Sequence, residues 1–515
     1  MRHFLLRIVF IVVLIQLMGS VSARAKEEIT MALIPLQSPS AMYKRFLPLK
    51  RYLEEKLNVK IRIKVARKSK EIITSLKDGS ADIAFLCPTL YTVAYKEASV
   101  QPVVKLRVNG KSEYRSALLV RDDSSVKKTA DLLDGSFVYG RYACPGSGLL
   151  PEIMLKRIGL TEETLFDVAK LGSDESAITA VLARMFDATG VPEMVARPYL
   201  GKGLRILRYS YSIPQYLFVA RTSLGTEFID EIKQAMLSIN KIKNRRAIVG
   251  SIESGVDGFD EATDSDYDIV RILMNNISDR KDLIIPRRAS SIRLYVEPVF
   301  FEPEIFATLN PLVTYLLKHG AIQFQIIVPQ NIGDFLSAQE SVKGAFFLEN
   351  RILADTYSKK RGLEGVTTVS IKDFSDPGAG LVLVQSEGSI RSLDDLQGKR
   401  VGITSTYSEG GYLAQKRILN SEGISPDTIR FIELGTYENV VMHLYRGRID
   451  AAFVSQAALD SMKDDIDMKR IRILAKTPSL NTWVLMAQED INDEVIEKVR
   501  NLIKEYTGMK TEPLP

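Results

Sequence analysis

The chain is written twice, and that constrains it more than any other feature. Gly135, Gly148, Gly172, Glu175 and Asp187 each have an identical residue 263 positions later, at Gly398, Gly411, Gly435, Glu438 and Asp450. The surrounding texture repeats as well. Ala130-Asp131-Leu132-Leu133-Asp134-Gly135 parallels Leu393-Asp394-Asp395-Leu396-Gln397-Gly398, and Phe186-Asp187-Ala188 parallels Ile449-Asp450-Ala451. A constant spacing over five anchors points to two tandem copies of one unit of about 250 residues. The seam falls near 275–290, where Asn275-Asn276, Pro286 and Arg287-Arg288 interrupt the periodicity. The expected division is a leader over 1–25, a first module over 26–285 and a second over 286–515.

Within the first copy, short β-rich runs alternate with helical patterns. A strand is expected over 29–36, then an amphipathic helix over 43–57 with Phe46, Leu49, Leu53 and Leu57 on one stripe. The run 59–65 alternates apolar residues with Lys60, Arg62 and Lys64, the wet face of an edge strand. A helix over 72–77, a stop at Gly79 and a strand over 82–86 follow. Alternation of this kind predicts an α/β fold with mainly parallel sheets, each module made of two lobes.

The first 25 residues read as an address. Arg2 and Arg7 precede an apolar run over 8–18, and Ala23-Arg24-Ala25 is a small-x-small cleavage site, the pattern of a secretory signal peptide. The run is shorter than the ~20 apolar residues that span a bilayer, although Phe4-Leu5-Leu6 leaves an uncleaved anchor as the alternative. The expectation is export to the periplasm, with a mature chain starting near Lys26.

Composition excludes several functions. Without the leader's three arginines the chain has 66 basic against 63 acidic residues, no footprint for nucleic acid. Histidine occurs only at His3, His319 and His443, so the first module beyond the leader has none. Neither a serine triad nor a histidine–zinc site can form there. The other two histidines lie in helical patterns, as surface or packing residues. No phosphate-binding Gly-x-x-x-x-Gly-Lys loop and no dinucleotide fingerprint is present. No catalytic residue, metal or cofactor is expected.

Several stretches carry a resemblance: Gly79-Ser80-Ala81-Asp82-Ile83-Ala84-Phe85 with Pro88 and Tyr91, Gly146-Ser147-Gly148, Gly172-Ser173-Asp174-Glu175 and Phe186-Asp187-Ala188. The second copy matches through Glu409-Gly410-Gly411-Tyr412-Leu413, Gly435-Thr436-Tyr437-Glu438 and Arg448-Ile449-Asp450-Ala451-Ala452. Each copy resembles a periplasmic substrate-binding protein of the phosphate/phosphite/phosphonate type, a branch of the type II periplasmic-binding-protein fold. The resemblance implies two α/β lobes per module closing over a small anionic ligand, with no catalysis. It also implies delivery of the ligand to the membrane permease of an ABC transporter. The alternative is a ligand-sensing or adaptor protein feeding a membrane-bound kinase or receptor.

The same resemblance nominates ligand residues in the first module: Tyr43, Tyr91, Gly146, Ser147, Gly148, Asp174 and Asp187. A Ser/Gly-rich turn before a helix offers a hydroxyl and backbone N–H groups to an anion. Relatives have Ser-Thr-Ser-Gly there, and Pro145-Gly146-Ser147-Gly148 keeps one hydroxyl. Where relatives carry histidine in a Gly-Ser-His-Glu turn, this chain has Asp174 and, in the second copy, Tyr437. The second-module candidates are Ser408, Glu409, Gly410, Tyr437 and Asp450. A register fixed on Ala84-Phe85 and Ala345-Phe346 sets Glu349 and Ile352 opposite Pro88 and Tyr91. Acids in that cleft oppose a dianion, so a cationic or neutral solute, or a docking role, is expected of the second module. Cys87 and Cys144 both border the expected cleft. Plain packing, a disulfide and a thiol pair facing a sulfur-containing or thiophilic ligand are the three readings.

Overall fold

Strand Glu28–Leu33 runs parallel between Lys60–Val65 and Ile83–Leu86, with Met31 opposite both Ile63 and Ile83. This computed structural model describes residues 28–277, 286, 288, 291–371, 374, 377–506 and 509–510. The leader expected over 1–25 and most of the expected seam lie outside the described residues. The strand Lys60–Val65 is the sheet edge, as its alternation predicts, with Lys60 and Arg62 exposed.

The helix Pro39–Leu57 starts four residues before the expected start at Tyr43. Ser38 caps it by accepting from the Ala41 N–H, and Pro39 opens it with a fixed φ. Met42, Phe46, Leu49 and Leu53 form its buried face. Phe46 meets Phe85 at 5.0 Å between ring centroids, Phe85 meets Phe218 at 5.1 Å, and Phe218 meets Phe259 at 5.8 Å. These rings join the helix to the sheet, and burying each contributes about 1.5–3 kcal/mol.

The molecule divides into two compact units. One holds residues to Glu113 together with Pro214–Tyr267; the other holds Tyr114–Ile213 with everything from Asp268 onward. The first unit is the first lobe of the first module. Its six-stranded sheet runs Lys60–Val65, Glu28–Leu33, Ile83–Leu86, Leu217–Arg221, Val100–Val108, Val256–Glu261. Leu217–Arg221 enters antiparallel to both neighbours after an excursion of about a hundred residues.

The second unit holds three sheets of interest. Asp167–Lys170, Ser136–Tyr139, Ala188–Pro192, Ser116–Arg121 and Leu204–Tyr209 form the second lobe of the first module. The second module repeats both sheets strand for strand. Its first runs Phe324–Ile327, Ile292–Val296, Ala345–Glu349, Trp483–Gln488, Leu363–Ile371, Met509–Lys510; its second runs Arg430–Glu433, Arg400–Ile403, Ala451–Ser455, Ala379–Gln385, Ile471–Ser479. Each module is a type II periplasmic-binding-protein fold.

The strand registers correct the expected alignment of the copies. Helices Pro39–Leu57 and Ser69–Asp78 recur at Glu302–Gly320 and Ile332–Ser341, each bound 263 positions on, and the strands between them pair with the same relative register in both copies. Glu349 therefore stands opposite Leu86, Asn350 opposite Cys87, and Arg351 and Ala354 opposite Pro88 and Tyr91. The register fixed on the Ala-Phe pairs was two residues out. A slip of two keeps every side chain on its own face, so alternation cannot detect it.

Two of the five anchors also slip by one. Asp134 (φ 58°) takes the Thr164 carbonyl through its N–H, and Gly398 (φ 71°) takes that of Thr428 in the same way. Gly398 thus answers Asp134 rather than Gly135. Counted from the helix-ending Gly159 and Gly423, the partner of Gly148 is Tyr412 rather than Gly411.

Candidate functional site

In the first lobe, helix Pro88–Glu97 starts directly after the strand end Leu86, with Cys87 at its N-cap. Tyr91 does not open to solvent. It is fully buried, its hydroxyl donates to Asp264 Oδ1 at 2.7 Å, and its ring packs edge-on against Tyr267. It is a core residue of this lobe. Tyr43 is 43% exposed on helix 39–57. Burial pushes the Cys87 thiol up, so it is not a thiolate at neutral pH. Cys87 is buried and Cys144 half-buried, and neither is disulfide-bonded, against the disulfide reading.

In the second lobe, strand Ser136–Tyr139 leads through the turn 140–148 into helix Leu149–Arg157. This turn is tightly built. A Cβ on Gly148 would lie 2.0 Å from the Tyr142 carbonyl oxygen, and one on Gly146 2.7 Å from the Pro192 ring, so glycine is required at both. The amides of Ser147 and Gly148 donate to the Cys144 carbonyl and that of Leu150 to Pro145. Those three N–H groups are thus committed within the turn. The Ser116 hydroxyl donates to the Gly146 carbonyl. Ser147 is fully buried, and its Oγ has no hydrogen-bond partner among the described residues. A lone buried hydroxyl costs about 1–3 kcal/mol, a cost that a bound acceptor would offset.

Asp174 opens helix Asp174–Leu182, and its Oδ1 accepts from the Arg141 N–H at 2.9 Å. The carboxylate thereby braces the start of the 140–148 turn. Asp187 lies elsewhere. Its Oδ2 accepts from the Ser136 N–H at 2.9 Å and the Ser136 hydroxyl at 2.8 Å, at the N-terminal ends of strands 136–139 and 188–192. The turns after strands 136–139 and 167–170 leave from the C-terminal ends. In a parallel sheet those ends are opposite. Asp187 is a strand clamp, and Asp450 repeats it by accepting from the Arg400 backbone and guanidinium.

The second module has a more enclosed constellation. Ser408 caps the turn Glu409–Leu413, its Oγ accepting from the Gly411 N–H at 3.0 Å and lying 3.2 Å from the Tyr437 hydroxyl. Gly410 is bare because a Cβ there would sit 2.8 Å from that hydroxyl. Glu409 is 3% exposed. Its Oε1 accepts from Asn481 Nδ2 at 2.8 Å, and its Oε2 has no partner among the described residues. Arg417, itself 60% exposed, stands 3.6 Å away. Burial raises the Glu409 pKa, against the lowering effect of Asn481 and Arg417.

Sequence reasoning missed the residue behind this turn. Glu297 follows strand 292–296 and is 1% exposed, with Asn350 donating to it from its backbone N–H at 2.9 Å and its side chain at 3.0 Å. Asn350 also donates to the Tyr407 carbonyl at 3.3 Å, which ties the two lobes of this module together. Burial pushes Glu297 up to about 7, with Glu409 adding to the rise. At the 263 spacing its counterpart is Ile34, so the corrected register carried the only signal for it. Glu349 is not at the turn; it lies under helix Ile332–Ser341, accepting from Gln339, and burial pushes it up to about 8.

Among the described residues no helix is long and apolar enough to cross a membrane, and no group of three metal-ligating side chains converges.

The family of periplasmic substrate-binding proteins of ABC phosphonate transporters matches twice, over residues 31–267 and 294–512. Three similar solved structures each match about half of the chain. PhnD1 from Prochlorococcus marinus, in complex with methylphosphonate, is 19% identical, covering 49% of this chain and 98% of its own, with a TM-score of 0.42. XAC2383 from Xanthomonas citri, bound to ATP, is 15% identical, covering 50% of this chain and 100% of its own, with a TM-score of 0.44. A binding-protein component of an ABC phosphonate transporter from Pseudomonas aeruginosa is 15% identical, covering 57% and 98%, with a TM-score of 0.41. With both of its modules matched over nearly their whole length, the chain belongs to the periplasmic phosphonate-binding family of ABC transporter substrate-binding proteins, whose domain it carries twice.

Proposed function

We propose that this protein is an exported solute-binding protein whose first module captures a small oxyanion, phosphonate or phosphite in type, for an ABC permease. The observation that carries this reading is Ser147: a fully buried hydroxyl without a partner, in a glycine-framed turn at the start of a nine-residue helix. An oxyanion supplies the acceptor that hydroxyl lacks, and the helix dipole favours it there. Asp174, bound through Oδ1 to the Arg141 amide, is a carboxylate at the same turn and favours a ligand that carries a cationic group beside its oxyanion.

The second module takes a different solute, neutral or cationic. Glu297 and Glu409 are both buried beside the 408–411 turn, and no basic side chain pairs with Glu297 among the described residues. A dianion fits beside these two buried carboxyls only if both stay protonated, whereas a neutral or cationic solute carries no such requirement.

Isothermal titration of the mature protein with methylphosphonate, phosphite and phosphate tests both parts. One site per chain is expected for at least one of these ligands. Ser147→Ala should weaken it about tenfold, the loss of one hydrogen bond to a charged oxygen. Two equivalent sites, or an affinity unchanged in Ser147→Ala, would overturn the assignment.

A further inference from the structure

Two sites described above lie at the ends of one mechanical train inside the second unit. Helix 149–157 carries the Ser147 turn at its N-terminus. Its last-turn carbonyls at Leu155 and Lys156 are taken by the amides of Leu160 and Gly159, and the carbonyls just past its end are capped by the second module: Arg446 donates to the Ile158 carbonyl at 2.8 Å and to that of Gly159 at 3.2 Å. One residue earlier, Arg157 has a side chain 2% exposed that pairs with Glu304 at 3.1 Å and with Asp465. Arg446 is the C-cap of helix Tyr437–Tyr445. The opposite end of that helix holds Tyr437 against Ser408 of the second-module turn, and Glu438 accepts from the Phe301 N–H at 3.1 Å within the field of Arg157. A single helix of nine residues, about 13 Å long, thus touches the second-module turn at one end and the helix behind the Ser147 turn at the other.

We infer that helix 437–445 makes the second module a positioning element for the anion turn of the first, with Tyr437, Glu438 and Arg446 as its contact points. The inference rests on reading the Ser147 turn as an anion half-site. Close-packed interiors have low compressibility and transmit strain, so a displacement at one end of a buried helix is passed to the contacts at the other. A solute at the 408–411 turn displaces the Tyr437 hydroxyl from Ser408, and the far end of helix 437–445 is the cap on helix 149–157. The two clefts are then coupled, and linkage makes the coupling reciprocal.

The test is hydrogen exchange on the full mature chain, with methylphosphonate affinity as a second readout. Arg446→Ala removes the cap from a partly exposed position, Arg446→Lys keeps the charge without the fork, and Tyr437→Phe removes only the hydroxyl. The amides of Ser147, Gly148 and Leu150 should exchange at least fivefold faster in Arg446→Ala and measurably faster in Tyr437→Phe. Strand 28–33 should be unchanged in both, and Arg446→Lys should fall between wild type and Arg446→Ala. Methylphosphonate affinity should fall by about fivefold or more in Arg446→Ala, within the usual range of coupling between sites. Exchange at 147–150 within twofold of wild type in both Arg446→Ala and Tyr437→Phe would overturn the inference, whatever the affinities. If exchange responds but wild type binds no oxyanion, the positioning role stands and the oxyanion reading falls.

Discussion

Arg157 and Asp465, 308 positions apart in the chain, form an ion pair with side chains only 2% and 1% exposed. Arg208 reaches the same carboxylate oxygen at 2.5 Å, and the Ala130 N–H donates to the Asp465 carbonyl at 2.9 Å. The second lobe of the first module and the whole second module are therefore joined through a desolvated charge cluster. Burial by itself would lower the Arg157 pKa, but Glu304 and Asp465 outweigh it and hold the guanidinium charged.

Removing one member of this cluster leaves the others buried and unpaired. Asp465→Asn is expected to destabilise the protein by about 3–5 kcal/mol. Urea denaturation followed by circular dichroism reads this as a lower midpoint; Arg184→Ala, at an exposed pair with Asp123, should lower it far less. A loss below 1 kcal/mol for Asp465→Asn would show that water or a neighbouring group compensates the pair.

Stability should fall as pH rises from about 5 to 8. Glu297 and Glu438 are pushed up to about 7, and Glu349 to about 8, in each case chiefly by burial. Unfolded glutamates titrate near 4.3, so between that value and the raised ones the folded state holds protons that the unfolded state has released. Each such group contributes stability that is complete below the unfolded pKa and is lost as pH rises through the folded one. Each unit of separation corresponds to about 1.4 kcal/mol. Melting temperatures across this range should decline, and Glu349→Gln should flatten the decline. A melting temperature that climbs from pH 5 to 8 would mean that these carboxylates are ionised in the fold.

Asp187 is expected to matter for folding and not for ligand. Asp187→Ala strands the Ser136 N–H and hydroxyl, at about 1–3 kcal/mol of stability. Oxyanion affinity, measured where the variant is fully folded, should stay within twofold of wild type. A selective change in affinity with unchanged stability would return Asp187 to the ligand site.

The cysteines should titrate as two free thiols with no change on reduction. Cys144, half-buried, should react first with a thiol reagent, and Cys87 only on denaturation. A thiol count that rises only after reductant would mean the chain forms a bridge that this fold does not contain.

Much of the architecture was legible in the sequence because repetition and alternation are local properties. The tandem copies, the edge strand 60–65 with its exposed lysine and arginine, and the turn Gly146-Ser147-Gly148 before a helix were readable from residue order alone. So was the acid at Glu409 beside the second-module turn. The start of helix 39–57 was readable too, but in Ser38-Pro39 rather than in the apolar stripe.

What the sequence determined was which residues form each strand, helix and turn, since backbone preferences and apolar periodicity act over a few residues. What only the tertiary structure decided was which side chains meet. Tyr91 and Asp264, 173 positions apart, turn a supposed ligand residue into a core one. Asp187 closes on Ser136 at the wrong end of the sheet for a ligand. Glu297 enters the second-module site because Asn350, 53 positions on, joins its carboxyl to the Tyr407 carbonyl beside the turn. Arg446 caps a helix of the other module 287 positions away. Contacts of that range depend on how strands cross between lobes, and pattern reading cannot supply them because a shift of two residues leaves the pattern unchanged.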